Sequence, residues 1–272
     1  MSAQSSTRAA SSSAYAGLIV WAWTAMLGGA VAASRFSWPE GMPQKLGLGL
    51  LLVLAWQAMW LSLAEKDWHD AMEQWRAWTH KRTLPLLPYT APHSPASRTT
   101  AWLETWLSWW QEWLLPRERH SLYLAGLGLV AGLMLGSALG DYALALTLGV
   151  SLFAQGTMLA AQGRGAPALA SSVARIGLPF LLGFGLVSFP TPAIAALAFG
   201  MSAAFAGAVH SAALWRNLGY AVTLLALILT RQPIGAFGLC LIWLPQLVLS
   251  SLRHPLRWFA AALVVVVLTL AA

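Results

Sequence analysis

Charged residues are scarce in this chain. They make up 9% of its 272 residues, against about a quarter in soluble domains, while apolar residues make up 58% and the mean hydropathy is +0.64. This composition excludes an ordinary soluble domain. A helix that crosses the hydrocarbon core of a membrane needs about 20 mostly apolar residues, and such runs recur along the sequence. We therefore expect an all-α integral membrane protein.

Cysteine is nearly absent as well. The single Cys240 lies within an apolar run, so the sequence offers neither a disulfide framework nor a thiolate metal site. Motifs typical of RNA or DNA binding are also lacking. The net charge of +7 is therefore attributed to basic residues in the loops of a membrane protein, and no nucleic-acid partner is expected.

Nine apolar runs predict nine membrane-spanning helices in a single polytopic domain over 15–272. Their approximate bounds are 15–34, 46–64, 121–140, 142–161, 174–189, 193–211, 215–230, 234–251 and 256–272. The polar segment 1–14 predicts a disordered tail. The first run ends in Ala-Val-Ala, which a signal peptidase accepts, but it is longer than the usual ~7–15 residue signal core, so it is interpreted as a retained span.

Basic residues are distributed unequally between the two sides of the predicted bundle. Thirteen of the 16 lysine and arginine residues fall on the side that holds the N-terminus. Because basic residues near the ends of spans favour the cytoplasmic side, this asymmetry predicts a cytoplasmic N-terminus. Nine spans then place the C-terminus outside. In a bacterium the protein would lie in the inner, cytoplasmic membrane.

One long cytoplasmic loop, residues 65–120, is predicted between the second and third spans. Near 98–115 its tryptophans recur on one face of a helix, at Trp102, Trp106, Trp109, Trp110 and Trp113. Tryptophan is enriched at the boundary between membrane and water, so this pattern predicts an amphipathic helix lying in the interface and contacting membrane lipids. It would serve either as an anchor on lipid or as a lid or docking face for a partner.

The stretch AEKDWHDAMEQW, residues 64–75, concentrates negative charge. The chain has nine acidic residues, and four of them lie here: Glu65, Asp67, Asp70 and Glu73. In a helix the last three share little more than one face. Carboxylates at that spacing suit Mg²⁺, which takes one or two protein carboxylates together with substrate phosphate oxygens. The alternative is a solvated helix in which the pairs Lys66–Asp70 and His69–Glu73 satisfy one another.

Three short motifs, in this order, carry a resemblance to a known family. KDWHDAMEQ follows the second predicted span, KRTLP comes shortly after it, and GRGAPALASSVARIGLPFLLGF lies between the fourth and fifth spans. This arrangement is similar to the UbiA superfamily of intramembrane prenyltransferases, and the D-W-x-D core resembles the chlorophyll synthase branch. The resemblance implies a nine-helix bundle with a cytoplasmic N-terminus.

The resemblance also implies an activity and its residues. The activity would be transfer of an isoprenoid chain from its diphosphate to a lipophilic aromatic or tetrapyrrole acceptor, with Mg²⁺ as cofactor. Asp67 and Asp70 would be catalytic and would hold the metal together with Glu73. The diphosphate would be bound by five further residues: Lys66, Arg82, Arg164, Arg216 and Asn217.

The sequence departs from the family pattern in its second half. Lys66 and Gln74 replace an Asn and an Asp of the first motif, and no acidic residue follows Asp141, so the family's second Asp-rich motif is missing. Two Mg²⁺ ions on a diphosphate need anionic ligands from both motifs. The alternative is a catalytically degenerate member that acts as a structural or assembly subunit of a photosynthetic or respiratory membrane complex, with a quinone or pigment bound between its helices. A transporter is the least favoured function, because ionisable groups are almost lacking within the spans.

Overall fold

The computed structural model describes four stretches of the chain: residues 3–35, 37–79, 94–248 and 254–272. For residues 3–16 and Leu18 it describes the backbone alone. Within these stretches the chain forms ten helices and no strand. The helices are α1 Ala3–Ser34, α2 Met42–Leu63, α3 His69–Ala77, α4 Pro95–Leu139, α5 Asp141–Ala160, α6 Ala168–Gly185, α7 Pro192–Val209, α8 Ala213–Leu229, α9 Pro233–Val248 and α10 Pro255–Ala271.

Five helices, α2, α4, α5, α6 and α7, are long and apolar enough to cross a membrane. The apolar parts of α1, α8, α9 and α10 are shorter, at 10–17 residues. This content agrees with the prediction of an all-α, multi-pass membrane protein, which the long apolar runs already indicated. Helix α1 begins at Ala3, inside segment 1–14, for which the sequence predicts a disordered tail.

The tryptophan-rich segment and the third predicted span form one continuous helix, α4, of 45 residues. The sequence predicts two elements here, near 98–115 and 121–140, and Pro116 lies between them. The helix passes Pro116 through a π turn, Trp110–Leu114. At its end the Leu115 N–H donates to the carbonyl of Trp110, five residues back. The wider turn accommodates a proline that has no N–H to donate, so the helix continues. The tryptophan-rich segment and the third predicted span are thus continuous in the structure.

Glycines allow several helix pairs to pack closely. A side chain at Gly29 of α1 or at Gly183 of α6 would overlap the backbone of the facing helix. Gly207 and Gly219 serve the same purpose between α7 and α8. Such close approach brings backbones into van der Waals contact, which is how helices associate in a membrane. Three glycines of α4 are likewise buried, against α2 and α5: Gly128, Gly132 and Gly136.

The outer faces of the spans carry exposed apolar side chains. On α5, Leu148, Leu152 and Leu159 are 48%, 69% and 64% exposed and lie on one side of the helix. A continuous exposed apolar stripe of this kind is typical of a surface that contacts lipid. The stripe reaches the last turn of α5, beside the loop that follows it.

One end of the bundle, here called the polar end, gathers the charged residues. It comprises the turn 64–68 after α2, the loop 161–167 after α5, and His210 at the end of α7. The first two segments are joined by an isolated antiparallel bridge between Asp67 and Arg164. Segments about 100 residues apart in sequence are thereby brought side by side.

Candidate functional site

The turn 64–68 is the part of the polar end on which the candidate site is built. The Trp68 N–H donates to the carbonyl of Gly163 over 2.6 Å, next to the Asp67–Arg164 bridge. Gly163 has a φ of +75° and lies so close to Trp68 that a side chain there would touch its backbone. Only glycine adopts this conformation at no steric cost, so the loop approaches the turn closely because of that residue.

Glu65 and Arg175 form an ion pair inside the bundle. The Arg175 Nη2 atom lies 2.5 Å from both carboxylate oxygens of Glu65, and Trp60 Nε1 donates to Glu65 Oε1 over 2.9 Å. Arg175 is only 9% exposed. It lies in a second π turn, Val173–Gly177, which precedes Pro179 as the first precedes Pro116. Burying a charge is costly unless it is paired, so this pair holds α2 and α6 in one arrangement.

Lys66 is bound on the opposite side of the turn. Its ammonium group forms an ion pair with Glu118, donates to Ser121 Oγ over 2.7 Å, and lies 5.0 Å from the centre of the Trp68 ring. Burial lowers the pKa of the Lys66 ammonium from its ordinary value of 10.5, although the neighbouring carboxylate favours the charged form. These contacts tie α4 to the turn. The predicted Lys66–Asp70 pair is replaced by the pair with Glu118.

The three predicted metal-binding carboxylates lie on the exposed surface of the turn and α3. Asp67 precedes α3, and its Oδ1 accepts from the His69 N–H over 2.9 Å, so it does not share the helical spacing of the other two. Asp70 is exposed, and Glu73 pairs with His69 at 3.1 Å as the solvated-helix alternative predicts. In the described residues no group of three or more His, Cys, Asp or Glu side chains is arranged to hold a metal ion. The fit of this arrangement to Mg²⁺ is therefore poor.

Three cavities meet around the turn. The cationic cavity, of about 310 Å³, lies between the turn and the loop after α5, and its side-chain lining is Glu65, Arg164, Ala166, Ala168, Ser171, Arg175 and His210. Because Glu65 neutralises Arg175, the charge left in this cavity is that of Arg164. Of the predicted diphosphate-binding residues that the structure describes, Arg164 is the one that lines it.

The lateral cavity, of about 630 Å³, lies between α1, α2 and α4. Its lining is Ile19, Leu54, Gln57, Ala58, Leu61, Ser62, Glu65, Lys66, His120, Ser121 and Leu124. Glu65 lines both this cavity and the cationic cavity, so the Glu65–Arg175 pair stands between the two. Gln57 is fixed by donating its side-chain amide to the carbonyl of Ala174 over 3.0 Å.

The tryptophan pocket, of about 540 Å³, lies between α3 and the first half of α4. Its lining is Leu63, Trp68, Ala71, Met72, Trp75, Arg76, Trp102, Trp106, Trp109, Trp110, Leu114, Leu122, Met158 and Leu159. The rings of Trp106 and Trp110 are stacked, with centroids 5.6 Å apart, and Trp75 meets Trp109 edge to face at 5.3 Å. Asp67, Asp70 and Glu73 line none of the three cavities.

Two more of the predicted diphosphate-binding residues, Asn217 and Arg216, lie away from the cationic cavity. Asn217 accepts from Trp243 Nε1 over 3.3 Å, so its amide links α8 to α9. Arg216 is half-buried where α7 and α8 approach at Gly207, and its Nε has no hydrogen-bond partner among the described residues. Neither residue lines the cationic cavity. Arg82 lies outside the described residues.

Sequence reasoning missed the Glu65–Arg175 pair. A signal for it was present, because Arg175 interrupts an apolar run that becomes the 18-residue helix α6. A charge within a span requires a partner, and Glu65, just after α2, is the acidic residue of the stretch 64–75 that lies outside the Asp67–Asp70–Glu73 spacing. The sequence alone does not show that the end of α2 lies beside the first half of α6.

Comparison of the chain with family models, with curated proteins and with solved structures finds no match.

Proposed function

We propose that this chain is a non-catalytic, multi-pass membrane protein that binds a ring-bearing lipophilic molecule, of the quinone or pigment class, in the tryptophan pocket. It would act as a structural or assembly subunit of a membrane complex. The observation that carries this proposal is the lining of the pocket, which is almost wholly apolar and includes six tryptophans.

The chemistry of the pocket suits a flat conjugated ring. Indole rings stack on other π systems, and each aromatic contact adds about 0.5–1.5 kcal/mol beyond the burial of apolar area. Trp75 on α3 and Trp106 on α4 both line the pocket, so a ring bound there would contact indole side chains of both helices. The volume of about 540 Å³ lies in the usual range for small-molecule sites.

The position of the pocket suits a ligand that arrives from the bilayer. Leu159, which lines the pocket, is also the last residue of the exposed apolar stripe on α5. The stripe and the pocket therefore form one continuous apolar surface. An isoprenoid tail would lie along Leu152 and Leu148 while the ring occupies the pocket.

A catalytic role is less well supported. Asp67, Asp70 and Glu73 are exposed and line none of the three cavities, so a ligand in the tryptophan pocket would not meet a carboxylate that could hold Mg²⁺. The missing second Asp-rich motif is in keeping with this.

Ligand binding tests the proposal directly. The full chain is reconstituted in lipid nanodiscs and titrated with a radiolabelled isoprenoid benzoquinone and, separately, with a chlorin that carries an isoprenoid tail. At least one should bind saturably. The double variant Trp75→Ala/Trp106→Ala removes both ring contacts, about 1–3 kcal/mol, and should weaken binding roughly tenfold to a hundredfold.

A matched control is Trp38→Ala. Trp38 is 45% exposed and lies between α1 and α2 at the end of the bundle opposite the pocket, so its loss should leave binding unchanged. If neither ligand binds saturably, or if the double variant binds as well as the control, the pocket does not have this function.

Prenyl transfer is the second candidate. It is favoured by the bridge that brings Asp67 beside Arg164 at the rim of the cationic cavity. Arg164 would hold the diphosphate of an isoprenoid substrate, and the carboxylates of Asp67 and Asp70 would have to turn toward it with Mg²⁺. With this activity the chain would be a divergent relative of the UbiA prenyltransferases.

The nine-span topology forms part of the proposal. The five long helices and the four shorter apolar ones coincide with the nine predicted spans, and together they would place the N-terminus in the cytoplasm and the C-terminus outside. The polar end and the tryptophan pocket then face the cytoplasm.

A further inference from the structure

We propose that the lateral cavity binds a membrane lipid whose head is uncharged and bears hydroxyl or carbonyl oxygens. This site shares no lining residue with the tryptophan pocket, so the inference does not depend on the function proposed for that pocket.

The lateral cavity is polar at one end and apolar at the other. Its apolar part is formed by Ile19 of α1, by Leu54, Ala58 and Leu61 of α2, and by Leu124 of α4. The hydrogen-bonding groups of this cavity are supplied by its polar lining residues: Gln57, Ser62, Glu65, Lys66, His120 and Ser121. A molecule with a polar head and an apolar body matches this division, whereas a wholly apolar chain would leave the polar groups unpaired.

The charges at the polar end of this cavity cancel. Glu65 is paired with Arg175, and Lys66 is paired with Glu118. An anionic head would meet the carboxylate of Glu65, and a cationic head would meet the ammonium group of Lys66, each already engaged with its partner. An uncharged head avoids both repulsions. It also avoids breaking either ion pair.

Uncharged hydrogen-bonding groups remain available for such a head. Gln57 donates its amide N–H to Ala174, and its side chain lines the cavity with an oxygen that can accept a hydrogen bond. The Ser121 hydroxyl accepts from Lys66 and keeps its own proton to donate. His120 beside it is exposed. A hydroxyl or carbonyl oxygen would therefore find both donors and acceptors.

The cavity opens on a face that carries exposed apolar residues. Leu54 and Leu124, on opposite walls, are 39% and 38% exposed. The same faces of α2 and α4 continue with Leu51 and Leu127, which are 53% and 70% exposed. A lipid could therefore enter sideways from the bilayer with its chains against these leucines.

Photochemical labelling tests this site. The full chain is reconstituted in phosphatidylcholine vesicles containing a diazirine-bearing diacylglycerol or the matching phosphatidic acid, which has the same chains and an anionic head. Labelled peptides are then mapped by mass spectrometry. Diacylglycerol should label segments 54–61 and 120–124 about tenfold more than phosphatidic acid. Equal labelling, or a preference for phosphatidic acid, would overturn the proposal without any variant.

Two variants that fill the cavity localise the labelling. Ala58→Trp and Leu124→Trp, on opposite walls, should each reduce it about tenfold. Leu225→Trp places the same side chain on the exposed surface of α8, which does not line the cavity, and should not reduce it. Labelling that persists in both cavity variants would show that the lipid lies elsewhere.

A competition experiment identifies the source of the uncharged head. If an unlabelled isoprenoid benzoquinone displaces the diacylglycerol probe, an isoprenoid lipid can occupy the cavity. If only unlabelled diacylglycerol displaces it, the site is selective for a glycerol-based lipid. Both results support an uncharged head. Displacement by unlabelled phosphatidic acid at equal concentration contradicts it. Because the tryptophan pocket is untouched by these variants, failure here leaves the binding experiment at that pocket unaffected.

Discussion

Replacing Glu65 by glutamine removes the charge that neutralises Arg175 and keeps almost the same shape. The Glu65 and Arg175 side chains are 20% and 11% exposed, so the pair is largely shielded from water. Removing one partner of a buried ion pair costs about 3–5 kcal/mol, because the other charge stays buried without a partner. Glutamine still offers an oxygen to Trp60, so we expect the lower value, about 3 kcal/mol, or roughly a hundredfold in the folding equilibrium.

Removing both charges should restore most of that loss. In Glu65→Gln/Arg175→Met no charge is buried, and replacement of a whole buried pair by uncharged groups is often neutral or stabilising. We expect its free energy of unfolding to lie within about 1 kcal/mol of that of the wild type. This recovery separates the effect of an unpaired charge from that of a changed shape.

Equilibrium unfolding by dodecyl sulfate in mixed micelles, followed by circular dichroism, measures these differences. Glu73→Gln is the matched control, because the Glu73 side chain is 62% exposed and pairs with His69 on the surface of α3. It should change the free energy of unfolding by no more than about 0.5 kcal/mol. If Glu65→Gln is no more destabilising than this control, Glu65 and Arg175 do not form a buried pair.

Two further predictions concern the fold and the second candidate function. Gly183→Ala should destabilise the bundle by about 1–3 kcal/mol in the same unfolding assay, because its Cβ would overlap the α1 backbone at Met26, whereas Gly126→Ala, with open space around it, should not destabilise it. Asp67→Asn/Asp70→Asn should leave the yield and folding of the protein near those of the wild type. Any Mg²⁺-dependent transfer from a radiolabelled isoprenoid diphosphate must disappear in that variant if prenyl transfer is the function, and a variant that retains transfer would exclude these carboxylates.

Helix positions were accessible from the sequence because hydropathy decides them. Every predicted apolar run contains a helix in the structure, and Pro192, Pro233 and Pro255 stand at helix starts, where a missing N–H costs nothing. The limit of this reasoning is seen at Pro116, where the sequence predicts two elements, near 98–115 and 121–140, and the structure has one helix. A π turn accommodates that proline, and no periodicity in the sequence distinguishes a π turn from a helix end.

The candidate site was accessible only in part. The sequence indicated Lys66, Asp67 and Arg164, and the structure brings the segments that carry them together at one end of the bundle. The sequence could not show that Asp67 precedes α3 instead of lying within it, since that depends on where the helix begins. It also paired Lys66 with a near neighbour, because contacts between distant segments, such as Lys66–Glu118, follow from packing alone.

The decisive measurement is the identity of the lipids that remain bound when the full chain is purified in mild detergent from its native membrane and extracted into organic solvent for mass spectrometry. The wild type should carry a stoichiometric, ring-bearing isoprenoid compound, which should be lost from Trp75→Ala/Trp106→Ala and kept by Trp38→Ala. An extract that contains bulk phospholipid alone, in the same proportions for all three proteins, would contradict the function proposed for the tryptophan pocket.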